Sequence, residues 1–253
     1  MKKQKFHGKG ISICYDAYQI LPKLKPNSVD LVFIDPHYNL GAVSKGSLKF
    51  KDREDMNKVV DWDEEVIIDF EILDSIRRVL KPTGNVAIWC AYHQFGEWHV
   101  LLDKHFSPYD EAFDVVVPFY WCKTNAALSL RKKNFIQATE IVIIGRDKGS
   151  YLNFVGQSAM KNWFSCGICQ GHERVKGPDG KTLHPAQKPL KVYDHLIEVL
   201  CPPGGTVLDF FAGVSTTAVS AVRTGRKFIC VEHNHDYYEA GLKRIEAAIV
   251  EST

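Results

Sequence analysis

The run Val29-Asp30-Leu31-Val32-Phe33-Ile34 constrains this chain more than any other stretch. A strand that is apolar at nearly every position has no side to turn to water. It must be covered on both faces, and sheets covered on both faces are built from parallel strands with helices above and below. The run ends in Asp35-Pro36-His37-Tyr38, which sets a carboxylate, a main-chain carbonyl on a residue without an N–H, and an aromatic ring at the strand's carboxyl end. In an open α/β sheet, ligands bind at that end. The set suits a planar heterocycle with an exocyclic amine. The amine donates to the Asp35 carboxylate and the Pro36 carbonyl while the ring stacks on Tyr38. Taken alone, a strand end followed by a proline turn, with Tyr38 packing, explains the stretch equally well.

The rest of the chain alternates strand and helix. Strand character at 11–15 leads through Asp16 to a short helix ending near Leu24. The acidic cluster Asp61-Trp62-Asp63-Glu64-Glu65 opens a helix that runs to about Leu80 and is stopped by Lys81-Pro82-Thr83-Gly84. Strands are predicted at 85–90, 112–117 and 139–145, with a helix over 92–105. Then come a helix over 190–201, a strand over 206–210, a tight turn, a helix over 216–223 closed by Gly225, a strand over 227–231 and a final helix reaching Ile249. This is an α/β pattern with a mainly parallel sheet. With neither internal repeat nor linker in view, residues 1–253 read as a single domain. Two stretches lack a period, a polar loop over 39–58 and an irregular excursion over 149–183. Arg131-Lys132-Lys133-Asn134-Phe135 suits phosphate contact and base stacking, or equally a solvated hairpin tip.

A net charge of +2 is too small to argue for a nucleic-acid partner by itself. No apolar run approaches the roughly 18 residues that span a bilayer, and the basic N-terminus lacks the apolar stretch of a secretory signal. Seven scattered cysteines suit reduced thiols in a cytoplasm. Cys166, Cys169, His172 and His184 invite a zinc reading, but Cys169 to His172 is too tight and His184 sits in another motif, so no metal is assigned.

The second half carries a nucleotide-binding pattern. Strand, small-residue turn (Phe211-Ala212-Gly213-Val214-Ser215), helix, strand and acid follow one another, with Glu232 lying 23 residues beyond Asp209. Gly213 lets a ligand approach the backbone, and the helix N-terminus aims N–H groups at it. The spacing suits a carboxylate on a ribose diol. The turn is glycine-poor for a pyrophosphate, so a nucleoside without phosphates fits better. An ordinary βαβ turn with a surface glutamate remains the competing reading.

Together these residues resemble the DNA amino-methyltransferases (adenine-N6 and cytosine-N4) of the group whose catalytic motif precedes the cofactor motif. Asp35-Pro36-His37-Tyr38 is similar to the Asp-Pro-Pro-Tyr signature, and Phe211 to Thr217 to Phe-x-Gly-x-Gly-Thr-Thr. His184-Pro185-Ala186-Gln187-Lys188-Pro189 is similar to the His-Pro-x-Gln-Lys-Pro element before the cofactor strand. The resemblance implies a Rossmann-like methyltransferase fold, with a mainly parallel seven-stranded sheet and helices on both faces. It implies S-adenosylmethionine as cofactor and double-stranded DNA as partner. It implies a cytoplasmic, nucleoid-associated enzyme of restriction–modification type, with a homodimer left open because relatives are often dimers.

By the same resemblance Asp35, Pro36 and Tyr38 are the catalytic set, and Asp35 also borders the cofactor. Asp209, Phe211, Ala212 and Gly213 line its methionine end, with Thr216 and Thr217 starting the helix beside it. Glu232 takes the ribose hydroxyls, Asp16 lies near the adenine and Lys188 approaches the methionyl carboxylate. Trp163, Cys169, Gly171, Glu173 and Arg174 match a segment common in adenine-directed members. The insertions around 39–60 and 149–183 would read the target. Two departures stand out: His37 replaces a proline, and Val214-Ser215 replaces a small-Gly pair, where Ser215 would narrow the cofactor pocket or cap the next helix. An aspartate opening the motif favours adenine in DNA. Cytosine-N4, RNA, and a catalytically silent DNA-binding relative are the alternatives.

Overall fold

The computed structural model describes residues 1–36, 70–106, 116–127, 132 and 135–252. The apolar run is strand β3 (Val29–Ile34), and every residue in it is buried. Its neighbours are β8 (Thr206–Asp209) and β4 (Leu80–Cys90), both parallel to it. Beyond β8 lie β9 (Lys227–Glu232) and β2 (Gly10–Cys14), also parallel. On the other side β6 (Thr139–Arg146) runs antiparallel between β4 and β5 (Val116–Lys123). These are the seven strands expected.

Two edge strands extend the sheet to nine among the described residues: β1 (Lys2–Phe6) beside β2, and β7 (Trp163–Cys166) beside β5. Neither is legible as a strand in the sequence. β1 is lysine-rich and exposed along most of its length, as suits a sheet edge protected from further pairing. β7 is four residues inside the stretch read as irregular, and only its pairing with Tyr120 to Lys123 makes it a strand.

Side-chain alternation explains the two layers. Leu31 and Phe33 join a core built with α4 (Leu190–Leu200), α5 (Thr216–Arg223) and α6 (His235–Glu251). Val32 and Ile34 point the other way, to α1 (Ala17–Ile20), α2 (Phe70–Val79) and α3 (Phe95–Phe106). Fully burying a side chain of this size contributes about 1.5–3 kcal/mol. Asp30 interrupts the run at the end away from the site. Both its oxygens pair with Lys81 Nζ at 2.9 and 2.8 Å, and Oδ2 also accepts the Thr206 N–H at 2.8 Å. One carboxylate thereby ties together the starts of β3, β4 and β8.

Several boundaries differ. The helix expected from Tyr92 begins at Phe95, the strand expected from Asn85 begins at Leu80 and takes in the stretch read as a helix stop, and the strand expected over 112–117 is described from Val116 and runs on to Lys123. The start of the helix expected at 61–65, and the loop over 39–60, lie outside the described residues. No helix among the described residues is long and apolar enough to cross a membrane.

Candidate active site

Because β2, β9, β8, β3 and β4 are parallel, the residues that follow them gather at one edge of the sheet. The next described helix after β3, α2, packs on one face of the sheet, and after β8 the chain passes to α5 on the other. The crevice between β3 and β8 is therefore a topological switch point, where ligands of such sheets bind. Asp35 and Pro36 stand on one lip and Asp209 on the other, with Glu232 one strand further and Asp16 beyond it. Tyr38 and His37 lie outside the described residues.

Asp35 is half-buried, and its Oδ2 accepts from Lys188 Nζ at 2.7 Å. Lys188 is only 5% exposed, which for a lysine demands a partner. Among the described residues a second carboxylate, Glu140 Oε2 of β6, lies 3.4 Å away, and the ammonium sits 5.1 Å from the Trp89 ring centroid. Glu140 Oε1 is in turn 2.6 Å from Lys123 Nζ of β5. Burial alone would lower the Lys188 pKa, yet the Asp35 and Glu140 carboxylates outweigh it and hold the pKa above its ordinary value. Burial likewise works against ionised Glu140, but Lys188 and Lys123 together hold its pKa below the ordinary value. Sequence reasoning named Lys188 and missed Glu140 and Lys123. The available signal was a glutamate opening an otherwise apolar strand.

The segment carrying Lys188 is braced by the excursion before it. Gln187 donates to the Glu173 carbonyl at 2.6 Å and accepts from the Val175 N–H at 2.9 Å. Arg174 donates to the Pro185 carbonyl at 3.2 Å, and Glu173 Oε1 accepts the Leu190 N–H at 2.5 Å. That last bond satisfies a free N–H in the first turn of α4. Glu173 and Arg174 thus hold 184–190 against the sheet. Cys166 and Cys169 are buried thiols, the latter pushed up to about 12 by burial first and then by Glu173. Among the described residues no three His, Cys, Asp or Glu side chains come together as a metal-ligand set.

Asp209 organises the turn after β8. Its Oδ1 accepts the Phe211 N–H at 2.9 Å, and its Oδ2 accepts from the Thr217 hydroxyl. Burial, with the Asp35 and Glu232 carboxylates adding to it, pushes it up to about 7 against those two hydrogen bonds. Ala212 donates to the Val231 carbonyl at 3.0 Å, which lays the turn across β9. Gly213 has φ +50°, and a Cβ there would meet His184 Nε2 at 2.9 Å, so the turn needs glycine for both conformation and space. Thr216 and Thr217 are buried at the start of α5.

Glu232 Oε2 accepts the Gly213 N–H at 2.6 Å and its Oε1 the Asn234 N–H at 2.7 Å. The carboxylate still has acceptor capacity for an incoming hydroxyl. Burial raises the Glu232 pKa against the backbone hydrogen bonds of Asn234, Gly213 and His233. Tyr15 donates to the Glu232 carbonyl at 3.0 Å, which brings Asp16 beside it, and Asp16 caps α1 by accepting the Tyr18 N–H at 2.8 Å. Ser215 makes no side-chain cap on α5. It is buried with φ +62°, its hydroxyl turned against Gly241 of α6.

The family model N6_N4_Mtase, described as "DNA methylase", matches residues 29–243. The chain is 30% identical over 253 residues to Type II methyltransferase M2.DpnII of Streptococcus pneumoniae, covering 94% of this chain and 90% of that protein. It is 30% identical over 244 residues to Type II methyltransferase M2.LlaDCHI of Lactococcus lactis subsp. cremoris, covering 91% of this chain and 87% of that one. Among solved structures it is similar to PvuII DNA methyltransferase (cytosine-N4-specific), with a TM-score of 0.68 at 20% identity over 96% of this chain and 91% of that one. It is also similar to the M1.HpyAVI–SAM complex, with a TM-score of 0.62 at 21% identity over 92% of this chain and 98% of that one. At such identities the two structures speak for the fold.

Proposed function

The chain belongs to the N6/N4 DNA methylase family, and from that premise we propose that it transfers a methyl group from S-adenosylmethionine to the exocyclic amine of adenine in double-stranded DNA. The observation that carries the reading is the half-buried Asp35 carboxylate at the carboxyl end of β3, across the switch-point crevice from Asp209.

The residues present fit the cofactor. Glu232 has lone pairs to spare for a ribose diol, and Asp16 stands at the next strand end for an adenine. The turn at Gly213 has no side chain of its own to intrude. Glu232 and Asp35 are two strand spacings apart, about 10 Å, so a ligand seated on the first reaches toward the second. When bound, S-adenosylmethionine supplies a sulfonium methyl. Ala212, Gly213, Phe211, Thr216 and Thr217 would shape the pocket between these carboxylates, and Lys188 would sit at its inner wall.

An aromatic amine is a poor nucleophile because its lone pair is delocalised into the ring. Asp35 and the Pro36 carbonyl, each accepting one N–H, turn and pyramidalise the nitrogen so that the lone pair faces the methyl. The positive charge that builds on the nitrogen is stabilised by the Asp35 carboxylate, and much of the acceleration is positioning. The target base must leave the duplex to reach this pocket, where Tyr38 would stack on it. The stretches 39–60 and 149–183 are proposed to read the target sequence.

Nucleoside mass spectrometry of DNA incubated with the protein and S-adenosylmethionine tests the reading. N6-methyladenine is the expected product. N4-methylcytosine would move the assignment to cytosine, and no methylated nucleoside, with no cofactor binding by calorimetry, would leave a silent DNA-binding relative.

A further inference from the structure

Lys188 lies between two carboxylates at unequal distances, 2.7 Å from Asp35 Oδ2 and 3.4 Å from Glu140 Oε2. One carboxylate is enough to neutralise a buried ammonium, and Glu140 already has a cation of its own in Lys123, 2.6 Å away. The two carboxylates thus balance the two lysines, and the Lys188 ammonium has a second carboxylate within reach that it does not need for its own neutralisation. The face of Trp89 beneath the ammonium, 5.1 Å to the ring centroid, attracts it without favouring either oxygen. The two distances differ by 0.7 Å, so a small swing of a flexible lysine stem exchanges the short contact for the long one.

The reaction supplies a reason for such a swing. Asp35 has to accept an N–H from an amine whose nitrogen becomes positive as the methyl arrives. An ammonium held on the same oxygen occupies one of its two lone pairs, draws on its negative charge and repels the charge developing on the amine, most strongly in a site closed to water. We propose that Glu140 is a positioning residue for methyl transfer, which takes the Lys188 ammonium from Asp35 as the amine enters and so leaves Asp35 Oδ2 to the amine. The proposal rests on the reading of Asp35 as the amine acceptor. Lys123 keeps Glu140 anchored to β5 while it receives the second cation.

The test is Glu140→Gln, which keeps the shape and removes the charge. Single-turnover transfer of tritiated methyl from S-adenosylmethionine to unmethylated bacterial chromosomal DNA is measured beside a calorimetric cofactor titration and a thermal melt. The expected result is a rate about 10- to 100-fold lower, with cofactor affinity and the KM for DNA within about twofold of the parent. Glu140→Asp restores the charge at a shorter reach and should recover part of the rate, which a purely structural role would not require. If Glu140→Gln does not fold, Glu140→Asp decides, a three- to tenfold loss of rate at unchanged KM (roughly) supporting the hand-over. A folded variant that turns over within about twofold of the parent, or a loss confined to KM or cofactor affinity, overturns it. Full activity in Asp35→Ala would instead remove the amine-acceptor reading beneath it, whatever Glu140 does.

Discussion

The Ser215 hydroxyl fills the space that a side chain on Gly241 would need, with Ser215 Cβ 3.0 Å from the position of a Cβ there. Ser215 holds φ +62°, a left-handed conformation that costs a non-glycine residue about 1 kcal/mol, and it does so with no capping bond in return. The turn after β8 and helix α6 are therefore matched as a pair, a strained serine against an obligatory glycine.

Gly241→Ala is accordingly expected to cost about 1–3 kcal/mol by overpacking, read as a lower urea midpoint. Ser215→Gly alone should be neutral to slightly stabilising, because the strain it relieves offsets the packing it gives up. The double variant should regain most of what Gly241→Ala loses. Simple additivity of the two changes would show that the residues do not share the space.

Burial pushes Asp209 up to about 7, with the Asp35 and Glu232 carboxylates adding to it and the Thr217 and Phe211 hydrogen bonds opposing. In the unfolded chain this carboxyl ionises near pH 4. Between about pH 4 and 7 the folded chain keeps a proton that the unfolded chain has released, so the group disfavours the folded state increasingly as pH rises through that window. Asp209→Asn carries no such cost, and its side-chain oxygen can still accept the Phe211 N–H. The stability of the parent relative to this variant should fall by about 2–4 kcal/mol from pH 4.5 to 7.5 (roughly), measured by urea denaturation at each pH. A constant difference across the range would mean that Asp209 ionises normally.

For Asp35→Ala, loss of the amine acceptor should lower methyl transfer by at least about 10²- to 10³-fold while cofactor affinity stays within a few fold. Tritium incorporation and calorimetry read the two quantities separately. Near-normal methylation would remove Asp35 from the chemistry.

Glu232→Ala should show the opposite split. Loss of a charged acceptor for ribose hydroxyls corresponds to about 1.5–3 kcal/mol, or a cofactor Kd raised roughly 10- to 100-fold. The turn is also loosened, because the Gly213 N–H loses its partner. A Kd unchanged by titration calorimetry would place the cofactor elsewhere.

Much of this was legible in residue order. The carboxyl end of an apolar strand is a local property, so Asp35 and Glu232 could be assigned to one edge of the sheet before any coordinates. The turn at Gly213 was readable for the same reason. β1 and β7 were not readable, because an edge strand of lysines or of four residues has no periodicity and exists only through its partner. Ser215 was expected to cap α5 or narrow the pocket, and its conformation and contact with Gly241 follow from the approach of α6.

The sequence alone determined the layered α/β plan and which strand ends carry acids, since apolar periodicity and turn chemistry act over neighbouring residues. Only the tertiary structure decided that Lys188 would be buried against Asp35, 153 positions away, with Glu140 and Lys123 behind it. The free energy of a buried charge depends on partners brought in from other elements. Here the reversal of β6 between β4 and β5 supplies them, and no local pattern records it.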